Sequence, residues 1–162
     1  MHSLIIFVAK YFIFLSVAVV GIYWLSAKVS VKLSLAWQLV AGGILALALS
    51  VLAGHLYYDT RPFVSHHLVP LIPHAADNGF PSDHALLAAF LAFTMFLYSR
   101  RASLLLLIIA VLIGWARVAT HIHSPIDIVG SFVIAGLSVI IVHLIATIWG
   151  SRRGEAGWRQ RR

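Results

Sequence analysis

The sequence has no cysteine. That excludes disulfides, thiolate metal sites and a cysteine nucleophile, and leaves the redox compartment unmarked. Charge is scarce too: only 10% of residues are Asp, Glu, Lys or Arg, and Asp and Glu together number 5. No internal repeat, low-complexity tract or interdomain linker interrupts the chain. A solvated basic groove with interleaved aromatics is missing, so the net charge of +7 does not indicate a nucleic-acid partner.

What is present is apolar. Hydrophobic residues make up 61% of the 162 positions, against roughly 45–50% in soluble domains. The mean hydropathy is +0.96. Uncharged runs predict helical spans at about Leu4–Leu25, Leu35–Leu56, His84–Tyr98, Ser103–Ala119 and Ile126–Trp149. The expected fold is all-α: an integral membrane bundle of about five transmembrane helices. Residues 1–150 form one domain and 151–162 a basic cytoplasmic tail. The first run has no basic residue ahead of Lys10 and no small-residue cleavage site, so it reads as a span rather than a signal peptide. The one long connection, Tyr57–Asp83, is too long to be idle in so short a chain.

The basic residues sort by side. Lys28, Lys32, Arg100, Arg101, Arg152, Arg153, Arg159, Arg161 and Arg162 fall at one set of span ends, which the positive-inside rule makes cytoplasmic. Lys10 lies within the first span and snorkels outward. The N-terminus is then outside and the C-terminus inside, in a multi-pass protein of the plasma (inner) membrane. Arg61 and Arg117 oppose this bias on the outer face, where Asp59, Asp77, Asp83, Asp127 and most histidines also fall. Two arginines against the charge rule point to a specific task.

Three stretches meet on that face: Tyr57–Phe63 (YYDTRPF), Pro81–His84 (PSDH) and Ala116–Gly130 (ARVATHIHSPIDIVG). Together they resemble the three signatures of the type 2 phosphatidic acid phosphatase superfamily: an upstream Lys with Arg-Pro, then Pro-Ser-Gly-His, then Ser-Arg, five residues, His, three residues and Asp. Arg117, His123 and Asp127 reproduce the last spacing in full. The resemblance runs from about Gly54 to Gly130. It departs from the pattern in three places: Gly54 stands where the family Lys would, with His55 beside it; Asp83 replaces Gly; Ala116 replaces Ser. Such variants resemble small bacterial undecaprenyl-diphosphatases of that superfamily.

The resemblance implies a metal-independent lipid phosphatase with no cofactor, acting outside the cytoplasm through a phosphohistidine. Its chemistry suits these residue types. Arg61 and Arg117 offer planar forks for phosphate oxygens. His123 attacks phosphorus, Asp127 holds its tautomer, and His84 protonates the leaving oxygen. Ser82 and the first amides of the third span offer anion-binding donors, with Asp83 tuning His84 or seating substrate. Undecaprenyl diphosphate is the leading substrate. The residues themselves specify only a phosphate or pyrophosphate on a lipid, among membrane lipids, so phosphatidylglycerol phosphate, phosphatidic acid and lipid A stay open. A non-enzymatic headgroup binder or transporter is the second class.

Plainer roles compete for the same residues. Ser82 is a good N-cap, and Ser124-Pro125 with Asp127 reads as N-cap, N1 and N3 of the last span. The two arginines suit headgroup anchors. His66, His67, His74 and His121 lack the ordered acidic or thiolate partners of a zinc site, so no metal is expected. His143, in mid-span, reads as a helix–helix hydrogen bonder. Tyr57, Tyr58 and Phe63 suit an interfacial belt, and Gly42, Gly43 and Gly54 suit close packing.

Overall fold

Each apolar run is helical. The structure, a computed structural model, describes the backbone of residues 2–159 and side chains as far as Trp149. Its helices are α1 (His2–Ser26), α2 (Val29–Leu56), a short α3 (Pro62–Ser65), α4 (Asp83–Phe96), α5 (Arg100–Ala119) and α6 (Pro125–Arg159). The described residues hold no strand, only an isolated bridge between Thr60 and Asn78. Gln160, Arg161 and Arg162 lie outside the described residues, and residues 151–159 of the expected tail are described as helical backbone only.

Among the described residues four helices are long and apolar enough to cross a membrane: α1, α2, α5 and α6 as far as Trp149. The expected third span, α4, has 14 residues, about 21 Å of helix at 1.5 Å per residue. That is shorter than the roughly 30 Å hydrocarbon core. Position compensates for length. The helix looks lipid-facing by composition, yet α1, α2, α5 and α6 all pack against it. Ala85, Leu86, Ala88, Ala89, Phe90 and Met95 are buried there. Lipid-facing surface is left to the outer helices, where Leu4, Phe14, Ile44, Leu47, Ile108 and Ile140 are exposed.

Two helices start earlier than hydropathy places them. The α2 helix begins at Val29 rather than Leu35 and so takes in Lys32, whose ammonium lies 5.2 Å from the centre of the Trp24 ring. The α5 helix begins at Arg100 because Ser99 caps it, its hydroxyl accepting the Ala102 N–H at 3.3 Å. Polar side chains join helices inside the bundle. Gln38 Nε2 donates to the Val139 carbonyl at 3.1 Å, and Ser103 Oγ donates to the Ala92 carbonyl at 2.8 Å. His143 does not do this: it is exposed on α6. Gly42 faces the Phe90 ring, where an added Cβ would stand 2.9 Å from Cε2.

One end of the bundle is tied by Tyr23 Oη, which donates to the Tyr98 carbonyl at 3.2 Å, and by Ser34 Oγ, 3.0 Å from Tyr98 Oη. Lys28, Lys32, Arg100 and Arg101 lie at this end. The long connection and the α5–α6 turn close the other.

Candidate active site

The site forms where three sequence-distant pieces converge. Arg117 lies in the last turn of α5, and His123 in the turn that follows. Asp127 is in the first turn of α6. The connection between α2 and α4 adds Arg61 and Gly79, and α4 begins at Asp83-His84.

His123 is buried at the centre. Its Nδ1 lies 2.9 Å from the Gly79 carbonyl oxygen and 3.2 Å from Asp127 Oδ2. A carbonyl only accepts, so Nδ1 carries the proton and Nε2 presents its lone pair. That lone pair faces Arg117 Nη2 at 3.2 Å and Arg61 Nη1 at 3.5 Å. Burial pushes the His123 imidazole below its ordinary pKa; the Asp127 hydrogen bond opposes this, and the charges of Arg117 and Arg61 add to it. The result is a neutral base between two cations.

Arg61 is held in place by three contacts. Arg61 Nη1 donates to the Ile122 carbonyl at 2.8 Å, Nη2 to the Asn78 carbonyl at 3.1 Å, and Nε to Asp77 Oδ1 at 2.8 Å. That contact holds the Asp77 carboxyl below the usual carboxylate range. Both arginines are buried, and Arg117 Nε has no protein partner.

Asp127 serves two groups through one oxygen. Oδ2 accepts from His123 Nδ1 and, at 2.9 Å, from the Ser124 N–H. The capping and imidazole-holding roles therefore coexist. The Ser124 hydroxyl donates to Asp59. Ser82 does not cap α4 with its side chain. Its Oγ is buried without a partner, and its N–H donates to Ser131 Oγ at 2.9 Å. Ser131 Oγ also reaches the Asp127 carbonyl at 2.7 Å, so it ties α4 to α6 beneath the site.

A cavity of about 450 Å³ opens over His123, and Arg61, Arg117, His84, His74, His55 and Asp83 line it. Asp83 also lines an apolar groove of about 470 Å³ between α2 and α4, together with Leu39, Gly43, Leu47, Leu87 and Leu91. His121 is not on the cavity wall. It follows the α5 C-cap with φ 62°, and its carbonyl accepts the Phe63 N–H at 3.0 Å. Phe63 packs against the cluster of Val8, Ala9, Ile72, Ala116 and Ile122 and so leaves the expected interfacial belt. His66 and His67 are exposed. Among the described residues no three His, Asp or Glu side chains group to hold a metal ion.

The sequence reading missed the Asn78-Gly79 hub. Asn78 Oδ1 accepts from the N–H groups of Asp59 and Phe80 at 2.9 and 3.0 Å. Its Nδ2 donates to the carbonyls of Gly54 and Tyr57 at 2.8 and 3.0 Å. A Cβ on Gly79 would stand 3.0 Å from Asp127 Oδ2 and 3.2 Å from the Asp59 carbonyl. The available signal was an Asn-Gly pair, which marks a turn and not its contacts.

Comparison with known proteins fits this geometry. The family model described as PAP2 superfamily matches residues 35–150. Undecaprenyl-diphosphatase BcrC of Bacillus subtilis (strain 168) is 32% identical over 135 residues, covering 83% of this chain and 69% of that protein. Bacitracin transport permease protein BcrC of Bacillus licheniformis is 27% identical over 143 residues, covering 88% and 70%. Among solved structures, LpxE of Aquifex aeolicus superposes with a TM-score of 0.59 at 20% identity, covering 80% of this chain and 85% of that one, which supports the fold.

Proposed function

The chain belongs to the PAP2 superfamily and is a membrane phosphatase, and on that footing we propose that it hydrolyses a lipid diphosphate, undecaprenyl diphosphate first among them, through a phosphohistidine. His123 Nε2 attacks the terminal phosphorus while the bond to the bridging oxygen breaks. His84 gives its proton to that oxygen, and the lipid monophosphate leaves. Water then attacks the phosphohistidine and passes a proton to His84. Orthophosphate departs and His123 is restored. Arg61 and Arg117 neutralise the oxygens around phosphorus, where charge gathers as the bonds exchange. The Nδ1 bonds to Gly79 and Asp127 hold the ring in line and stabilise the positive charge it gains on phosphorylation.

The observation that carries this reading is the lone pair of His123 Nε2 between two buried guanidiniums. Asp83 lines both the cavity and the apolar groove, which supports a lipid substrate: in this reading phosphate sits over His123 and the chain runs between α2 and α4. The relative named undecaprenyl-diphosphatase supports this choice of lipid. By charge distribution the site faces the periplasm or exterior of the inner (plasma) membrane.

Phosphate release by purified protein is the test, measured on undecaprenyl diphosphate, phosphatidylglycerol phosphate, phosphatidic acid and lipid A. Undecaprenyl diphosphate gives the highest kcat/KM, and His123→Ala abolishes release. A relative named as a transport permease favours one other reading, a carrier without hydrolysis. Release from none of these lipids, with bacitracin or lipid movement across liposomes, establishes that reading instead.

A further inference from the structure

We propose that His74 binds the second phosphate of a diphosphate substrate and so sets the preference of the site for diphosphate over monophosphate headgroups. The inference deepens the hydrolase reading above and rests on it. His74 comes from the connection between α3 and α4, on none of the elements that carry the reacting groups. Its ring stands edge-on to that of His123, centroid to centroid 6.2 Å at 67°, on the wall of the same cavity. One diphosphate can therefore touch both imidazoles.

Charge on the wall shows why a further donor is needed. The permanent charges there are two guanidiniums, Arg61 and Arg117, and two carboxylates, Asp77 and Asp83, which cancel formally. Arg61 already gives its Nε to Asp77. A single phosphate is met by the remaining guanidinium donors, but the extra charge of a diphosphate has no permanent cation opposite it. Three histidines on the wall besides His123 remain. His55 has its Nδ1 2.7 Å from the Val51 carbonyl, and His84 is engaged with the bridging oxygen in the proposed mechanism. His74 is exposed and has no hydrogen bond among the described residues. Partial burial and the charges of Arg61, Arg117 and His123 hold its imidazole below the ordinary pKa, with Asp77 opposing. An anion that neutralises the two arginines removes their share of that pressure. Binding then draws a proton from solvent onto His74, and a charge-assisted hydrogen bond forms.

The test uses the full-length purified chain in detergent. Calorimetry reads binding of inorganic pyrophosphate and of inorganic phosphate, and kinetics reads kcat/KM on an isoprenyl diphosphate and its monophosphate. Wild type prefers pyrophosphate. In His74→Ala, pyrophosphate binding weakens at least about tenfold and phosphate binding less than about threefold, the loss expected for one charge-assisted hydrogen bond. The KM for the lipid diphosphate rises while kcat is largely kept. His74→Lys, which restores a cation, recovers pyrophosphate binding. An unchanged melting temperature confirms that the variants fold. Equal weakening of both anions, or no weakening of either, overturns the proposal. If wild type hydrolyses neither lipid but its pyrophosphate preference disappears in His74→Ala, the hydrolase reading falls and the His74 subsite stands.

Discussion

The Gly79 carbonyl oxygen lies 2.9 Å from His123 Nδ1, closer than the Asp127 carboxylate at 3.2 Å. A backbone acceptor, fixed by Gly79's own N–H donating to the Asp59 carbonyl at 2.9 Å, therefore sets the tautomer together with the acid. Asp127 adds the negative charge that the phosphorylated imidazole of the proposed mechanism needs.

The pH profile separates these contributions. In the proposed mechanism His123 attacks as the free base, so activity is lost as pH falls through its pKa. Burial is the main reason that this pKa lies below the ordinary imidazole value, and the Asp127 hydrogen bond raises it. The acid limb of kcat/KM therefore falls below the pH at which an exposed histidine titrates. Asp127→Asn moves that limb to still lower pH, while its residual rate drops by about 10²-fold or more. An unmoved limb means that the limb belongs to another group.

Loss of His123 and loss of His84 differ in kind. His123→Ala forms no phosphoenzyme and is close to inactive. His84→Ala retains a nucleophile and loses about 10²–10⁴-fold from the missing proton donor. A nitrophenyl phosphate, whose leaving group needs no proton, partly rescues His84→Ala and leaves His123→Ala inactive. Equal rescue of both shows that the roles are assigned wrongly.

His121 and His123 share one turn, but only His123 is on the cavity wall. His121→Ala keeps at least about a tenth of wild-type activity, a barrier change under roughly 1.4 kcal/mol. His121→Gly is tolerated as well, because the left-handed φ of 62° suits glycine. An inactive His121→Ala beside an active His123→Ala places the register of the whole turn in error.

Accessibility fixes the orientation. A cysteine introduced at His66, in the exposed part of the connection, reacts with an impermeant maleimide added outside intact cells. One introduced at Arg101, at the opposite end of the bundle, reacts only after permeabilisation. The reverse pattern puts the site on the cytoplasmic face.

Activity withstands EDTA. The proposed chemistry draws its positive charge from Arg61 and Arg117, and the described residues form no cluster of three His, Asp or Glu that suits a metal. Loss of phosphate release in chelator, restored by zinc or magnesium, overturns the metal-independent mechanism.

The amino-acid sequence by itself determined the membrane helices and half of the site. Apolar runs in a charge-poor chain leave few alternatives to helices in lipid, where each backbone N–H and C=O must be satisfied within its own segment. Arg117, His123 and Asp127 lie on one helix end, a tight turn and the next helix start, so short-range geometry holds them together and their spacing was readable. The central place of α4 was not readable, because composition marks a helix as apolar without saying whether lipid or other helices surround it. Arg61, Gly79 and His74 reach the site on a long polar connection with no period of its own, and His84 on the helix that follows it. Only the closed bundle decided that the Gly79 carbonyl meets His123, that Asp77 takes Arg61 Nε, and that His74 stands over the nucleophile. Those contacts join residues 16 to 49 positions apart, a separation at which periodicity and spacing carry no signal and packing alone fixes who meets whom.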